Sequence, residues 1–251
     1  HDDKPLLTRK IALAALTSPR LIGSAAGAVG AARRAAARLR ERLSVDVMST
    51  LDELSEALNV TQRTKAGPLE RADRAMRALS ALSGLVGENM AQLTGWRFLE
   101  LGRRIERALN TADVVERLGI EGASPASLTA LLEVGDSSIT YAQRYFVAHA
   151  QRAILDLLVL DENNPRSCAF QIVKLSELVS QLPGEGAGET ASNARRLAER
   201  LCARARAREA GDVDVALITA LREDLCNLSD VISEPYLSNR DRLAFSFRAD
   251  E

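Results

Sequence analysis

Trp96-Arg97-Phe98-Leu99-Glu100-Leu101-Gly102-Arg103-Arg104-Ile105-Glu106-Arg107-Ala108-Leu109-Asn110 reads as one helix with two unlike sides. At about 100° per residue, Phe98, Leu101, Ile105, Ala108, Leu109 and Ala112 gather on one side. Trp96, Leu99, Arg103, Glu106, Arg107 and Asn110 gather on the other. A purely solvated side has no need of Trp96 and Leu99 beside its charges, so this helix is expected to be contacted from two directions. Arg103, Glu106 and Arg107 stand at the spacings where side chains on one helix meet. Covered, Glu106 would sit between two guanidinium groups. Other helices would then have to supply the remaining partners, because an unpaired buried charge is costly.

The rest of the 251-residue chain has the same helical character. Aromatic residues are only 4 % of it, while the helix formers Ala, Leu, Arg and Glu dominate. That mix predicts an all-α fold, a multi-helix bundle of about eight to ten helices. Periodicity and stop signals place helices over 6–17, 21–43, 46–58, 68–86, 89–118, 125–135, 136–160, from Pro165 onward, 190–210 and 213–232. Gly119 suits a C-cap, and Pro68, Pro125 and Pro165 suit first helical turns. Gly184 to Gly188 reads as a linker, and Glu234-Pro235 as the end of the last helix. The chain is expected to form a single helical domain over 1–251, with 234–251 as a C-terminal tail.

Charge excludes several partner classes. Lys and Arg number 33 and Asp and Glu 34, a formal net charge of −1. This balance gives no global pull toward nucleic acid or membrane. The Arg-rich stretches 33–42 and 195–208 are interleaved with Glu41, Glu199 and Glu209 and carry no stacking aromatics. No run of ~18 apolar residues and no signal peptide are present, so no membrane span is expected. Three cysteines without metal-ligand spacing predict a reduced, cytoplasmic setting. The chain begins with His1, which suggests a piece of a longer protein.

No catalytic residue, metal site or cofactor site is expected. His149 stands without a nucleophile motif, and Gly184-Glu185-Gly186-Ala187-Gly188 lacks the ending of a phosphate loop. Two further segments carry polar chemistry instead. Asp136-Ser137-Ser138-Ile139-Thr140-Tyr141-Ala142-Gln143-Arg144-Tyr145 places Ser137, Tyr141 and Arg144 on one helical face. Leu160-Asp161-Glu162-Asn163-Asn164-Pro165-Arg166-Ser167 is a turn that can project Asp161 and Arg166 together. The candidate polar cluster is therefore Trp96, Arg103, Glu106, Arg107, Asp136, Tyr141, Arg144, Asp161, Asn164 and Arg166. Two readings stand. Guanidinium forks match carboxylate and phosphate bidentately, so the cluster can be a binding site. The same residues can equally satisfy one another as a structural network. Burial separates the two: Arg103 and Arg107 pointing into a concave pocket with an open donor would favour binding, and every donor paired with protein carboxylates or carbonyls would favour structure.

Gly95 to Ala112, with its core Trp96 to Ala108, resembles the signature of the bacterial alpha-E domain family, of the form G-W-R-F-L-x-L-G-R-x-[IL]-E-R-A. The Asp136 and Leu160 segments resemble later blocks of that family in the same order, and the likeness spans roughly residues 18 to 235. The resemblance implies an all-helical domain without an established activity. It implies a neighbour or fusion partner that is a circularly permuted ATP-grasp protein, often with a transglutaminase-like protease, and hence peptide amide chemistry. Two departures stand out. The family's earlier helix, with a Gly-Arg-x-x-Glu-Arg motif, does not precede Leu6. A family helix that normally carries Glu and Asn has Arg34 and Ala35, and an expected Trp is missing near Met48. Both argue against catalysis. The expected role is thus a non-catalytic interaction or substrate-positioning domain beside an ATP-grasp amide ligase. The alternatives are an enzyme or binding module for an anionic peptide-like ligand, and a purely structural bundle.

Overall fold

The computed structural model describes residues 4–59, 66–145, 150–183 and 192–237, which form eleven α-helices and, among the described residues, no strand. The all-α expectation is met. The helix expected over 136–160 is two helices, which raises the number above ten. The chain divides into two compact units, His1–Ala91 and Gln92–Glu251. His149, the Gly184–Gly188 stretch and the tail beyond Leu237 lie outside the described residues.

The first unit holds α1 (Lys4–Thr17), α2 (Ala25–Arg38), α3 (Val45–Leu58) and α4 (Pro68–Asn89). The helix expected from Leu21 starts only at Ala25, because Ser24 caps it: its Oγ accepts from the Gly27 N–H at 3.1 Å. Ser44 caps α3 in the same way through the Val47 N–H, and Pro68 opens α4. The core here is small. Leu54, Leu58 and Ala75 are buried, with Leu16, Val29 and several alanines packed against them. Arg71, only 4 % exposed, ties α3 to α4. It donates through Nε to the Ala66 carbonyl, and through Nη1 to those of Ala57 and Asn59 at 3.2 and 2.9 Å. These last carbonyls of α3 have no partner within their own helix, and a cation there also meets the negative end of the helix dipole.

The second unit holds α5 (Thr94–Val114), α6 (Pro125–Val134), α7 (Ser138–Arg144), α8 (Gln151–Leu155), α9 (Cys168–Val179), α10 (Asn193–Arg206) and α11 (Val215–Leu237). Its core is continuous: Leu101, Ile105, Ala108 and Ala112 of α5 meet Ile172 and Leu175 of α9, Leu201 of α10 and Leu225 of α11. Both α5 and α8 end in π-helical turns, Val115–Glu121 and Asp156–Leu160. The bonds Gly122 N–H to Arg117 C=O and Asp161 N–H to Asp156 C=O close them.

Gly119 is therefore not the C-cap; Gly122 is. Gly119 sits inside the wide turn, where an added Cβ would lie 2.9 Å from Leu131 Cδ2 and 3.2 Å from Leu155 Cδ2. Its bareness lets α6 and α8 close on that turn. Pro165 does not begin a helix either. Ser167 takes the cap position, its Oγ accepting from the Phe170 N–H at 3.0 Å, and α9 starts at Cys168. At the far end α11 runs through Pro235 to Leu237, not stopping at Glu234. Proline in a last turn forfeits one hydrogen bond, which a long helix tolerates. No described helix is long and apolar enough to cross a membrane.

Candidate functional site: an arginine centre on α5

The charged side of α5 is organised around Glu100, a residue outside the expected cluster. Glu100 and Arg104 fall about 40° and 80° from Trp96 on the helix, at the seam between its apolar and polar sides. Glu100 is 4 % exposed. Arg103 Nη1 donates to its Oε1 and Arg104 Nη2 to its Oε2, each at 2.8 Å. Arg104 then reaches α9. Its Nη1 donates to Gln171 Oε1 at 3.2 Å, and its guanidinium lies 5.8 Å from the centre of the Phe170 ring. Gln171 is fully buried and passes the link on, its Nε2 donating to the Pro165 carbonyl.

Glu106 is exposed, so it is not the carboxylate held between guanidinium groups. It points to the same side as Leu99, which is also exposed. The contact along the Glu100–Arg104 seam goes to α9, the helix that also meets the apolar side of α5, while Leu99, Glu106 and Asn110 are exposed. Trp96 packs partly against the core, and its buried Nε1 has no partner among the described residues.

The 160–167 turn is fastened by its own polar side chains. Asp161 Oδ1 accepts from the Asn163 N–H at 3.0 Å. Buried Asn164 donates to the Leu157 carbonyl at 2.9 Å and to Ser137 Oγ at 3.2 Å, and its Oδ1 accepts from the Arg166 N–H. Ser167 Oγ donates to the Asp161 carbonyl. Thr111 of α5 donates to the Arg166 carbonyl at 3.1 Å. The turn is thereby bonded to α5 on one side and to the start of α7 on the other.

Around α7 the ion pairs close on themselves. Asp136, at φ 46° in the left-handed region, pairs with Arg166. Arg144 pairs with Asp161, stands 4.0 Å from Asp156, and lies 5.4 Å from the centre of the Tyr145 ring. Tyr145 donates to Asp156 Oδ2 at 2.6 Å. Burial, and after it the bond to Asp156, push the Tyr145 phenol well above its usual range, so it stays a protonated donor. Tyr141 is 2 % exposed and stacks on Tyr145 with ring centres 5.1 Å apart. Its hydroxyl accepts from the Ala150 N–H.

Arg107 differs from all of these. It is partly buried, and among the described residues it has no hydrogen-bond or ion-pair partner. Burial, and then repulsion from Arg103, Arg104 and Arg166, lower its pKa below the usual guanidinium value, with Glu100 alone opposing. Arg104 adds a buried Nε without a partner. The structure thus gathers Arg103 and Arg107 on one side of α5 with Glu100, Arg104 and Gln171, while Arg166 pairs with Asp136. It links Asp136, Tyr141, Arg144, Asp161 and Asn164 as the supporting network behind them.

The nearby thiol is not a nucleophile at neutral pH. Burial pushes Cys168 up to about 12. Among the described residues no group of His, Cys, Asp or Glu is arranged to hold a metal.

Glu100 had a sequence signal: a glutamate three and four residues before two arginines is the favoured order on a helix. Gln171 had none, since it meets Arg104 from 67 residues away.

Over residues 1–237 the chain matches Alpha-E, described as a predicted alpha-helical domain with a conserved ER motif. It is also 27 % identical over 148 residues to uncharacterized proteins of Mycobacterium bovis and Mycobacterium tuberculosis. Those matches cover 57 % of this chain but only 16 % of each relative, so the shared segment is a small part of much longer proteins. No solved structure matches it. The chain belongs to the Alpha-E family.

Proposed function

We propose that this Alpha-E chain is a non-catalytic helical domain that holds an anionic, peptide-like ligand for an ATP-grasp amide ligase, in cis or in trans, in the cytoplasm. The observation that carries the ligand half is Arg107. Arg107 is partly buried beside Arg103 and Arg104 on α5 and has no hydrogen-bond or ion-pair partner among the described residues, so its fork is open to an anion. Guanidinium forks are suited to carboxylate and phosphate, so both classes are candidates.

The non-catalytic half draws on the rest of the cluster. Arg144, Asp156, Asp161 and Tyr145 hold one another in ion pairs and hydrogen bonds. A reaction would have to break these before using them. The partner half rests on the sequence resemblance and on the length of the relatives, in which the matched segment is a minor portion beside much other chain. A transglutaminase-like protease is a second companion on the same grounds. A purely structural bundle remains the competing reading, favoured by the closed pairs around α7, but it leaves Arg107 without a purpose.

The partner half is tested by gel filtration of the chain with a circularly permuted ATP-grasp protein. Co-elution at micromolar concentration is expected, and separate elution would overturn it. The ligand half is tested by calorimetric titration with small carboxylates and phosphates. Binding that Arg107→Ala removes is expected, and no heat from either class would overturn it.

A further inference from the structure

The formal net charge of −1 hides a segregation of charge in the first unit. From Lys4 to Arg40 the sequence has no acidic and no aromatic residue. Its cations Arg9, Lys10, Arg20, Arg34, Arg38 and Arg40 are exposed and have no hydrogen-bond or ion-pair partner among the described residues. The second unit is the reverse: Arg103, Arg144, Arg166, Arg204, Arg206 and Arg222 all hold carboxylates.

The unpaired cations share a surface with exposed aliphatic side chains. In the first unit α3 packs against α4 and α1 against α2, while α2 lies on α3 and α1 on α4. Leu16 of α1 and Val29 of α2 turn toward the Leu54–Leu58 core. At about 100° per residue, exposed Leu7 and Ile11 stand about 140–180° round α1 from Leu16, and Arg34 and Arg38 as far round α2 from Val29. Both pairs therefore face away from α3 and α4. The short 18–24 connection makes α1 and α2 antiparallel neighbours, so Leu7 and Ile11 lie toward the same end as Arg34 and Arg38.

At the other end the connection itself carries Arg20, Leu21 and Ile22. It is fastened from within. The Leu21 N–H donates to the Ser18 carbonyl, the Ser24 N–H to that of Leu21, and buried Ser24 Oγ to that of Ser18 at 2.6 Å. Gly23 takes the left-handed φ of 81°. Ile22 is thereby held in solvent, 100 % exposed, beside exposed Leu21. A lone exposed aliphatic residue is ordinary, but Leu7, Ile11, Leu21 and Ile22 together on a basic side mark a contact surface.

We infer that the outer side of α1, α2 and the 18–24 turn docks on the surface of an anionic lipid bilayer. Anionic headgroups attract clustered Lys and Arg and need no paired geometry from them. The aliphatic side chains select a bilayer over nucleic acid, because they gain only by entering an apolar phase, and Leu21 and Ile22 are carried to the acyl boundary by a fastened turn. A face for single-stranded nucleic acid would offer aromatic rings for bases to stack on, and this stretch has none. The docking is peripheral, since no described helix is long and apolar enough to cross a membrane.

The test is co-sedimentation of the full chain with vesicles of phosphatidylcholine alone and of phosphatidylcholine mixed with phosphatidylglycerol in a two-to-one ratio. Sedimentation with the anionic vesicles and not with the neutral ones is expected, weakening as salt rises. The double variant Arg34→Glu/Arg38→Glu should bind at least about ten-fold more weakly, and Ile22→Ser about five-fold more weakly. Helix content and melting temperature should stay unchanged in both, because these side chains are exposed.

Failure to sediment with the anionic vesicles would overturn the inference, and so would equal sedimentation with the neutral ones. Binding untouched by Arg34→Glu/Arg38→Glu would place the lipid contact elsewhere and overturn it. Binding that Ile22→Ser leaves unchanged and that a short DNA duplex competes away would make this a nucleic-acid surface, which would overturn it as well.

Discussion

Glu70-Arg71 on α4 and Glu106-Arg107 on α5 are the same dipeptide on the same kind of helix, and the fold treats them oppositely. Both glutamates face solvent, Glu70 pairing with Arg74. Arg71 is buried and spent on three backbone carbonyls near the end of α3. Arg107 is partly buried and spent on nothing among the described residues. An arginine with carbonyls in front of it is a clamp, whereas one beside other arginines is, on the proposed reading, a receptor for an anion. The neighbours decide which, because the side chain and its immediate sequence are alike.

The sharpest way to break this contrast is at Arg71. Arg71→Met should cost about 3 kcal/mol, since it strips charge-assisted bonds from buried carbonyls in a unit with a small core. Urea unfolding followed by helix content would measure it. A loss under about 0.5 kcal/mol would remove the distinction between clamp and receptor.

Glu100→Gln comes next. It leaves Arg103 and Arg104 without their buried carboxylate and should cost about 2 kcal/mol, discounted because both are partly exposed. Phosphate should restore the variant's melting temperature more than it raises that of the unaltered chain. Equal shifts would show that Glu100 does not neutralise the centre.

Gln171→Ala removes the link from Arg104 to the Pro165 carbonyl and should cost about 1 kcal/mol. It should also weaken anion binding modestly, because Arg104 loses its anchor. Unchanged affinity in the same titrations would reduce Gln171 to a packing residue.

Arg107→Ala should leave stability within about 0.5 kcal/mol of the unaltered chain while abolishing anion binding. Large destabilisation would make Arg107 a second clamp and end the contrast from the other side.

The smallest effect concerns the thiols. Cys226 is exposed, whereas Cys168 is buried with its thiol pushed up to about 12. Iodoacetamide at pH 8 should therefore modify Cys226 and spare Cys168, as mass spectrometry would read directly. Rapid labelling of Cys168 would mean that the α5–α9 core beneath the arginine centre opens readily.

Much of the fold was legible in the chain itself. Pro68 and Ser124-Pro125 mark helix starts by local chemistry, a fixed φ or a side-chain oxygen for an orphan N–H, and local chemistry survives folding, whereas the cap at Ser24 was missed for a start at Leu21. Gly119 misled, because its role is set by Leu131 and Leu155, two side chains from other helices. Pro165 misled too, because Ser167 competes for the cap two residues later. In the site, Arg103 and Arg107 of the charged side of α5 are partly buried, whereas Leu99, Glu106 and Asn110 are exposed. The choice of Glu106 over Glu100 failed at the seam, since a helical wheel gives angles and not the position of the neighbouring helix.

The sequence by itself determined an all-α chain, the positions of most helix ends and the Alpha-E signature on α5, because these depend on residues within a few turns of one another. Only the tertiary structure decided which arginines are satisfied. That depends on where the carbonyls of Ala57 and Asn59, the amide of Gln171 and the guanidinium of Arg166 arrive. The first three lie 14, 12 and 67 residues from the arginines they meet. Charge pairing is a short-range matter of angstroms, and nothing local in the chain records which distant donor or acceptor will come within reach.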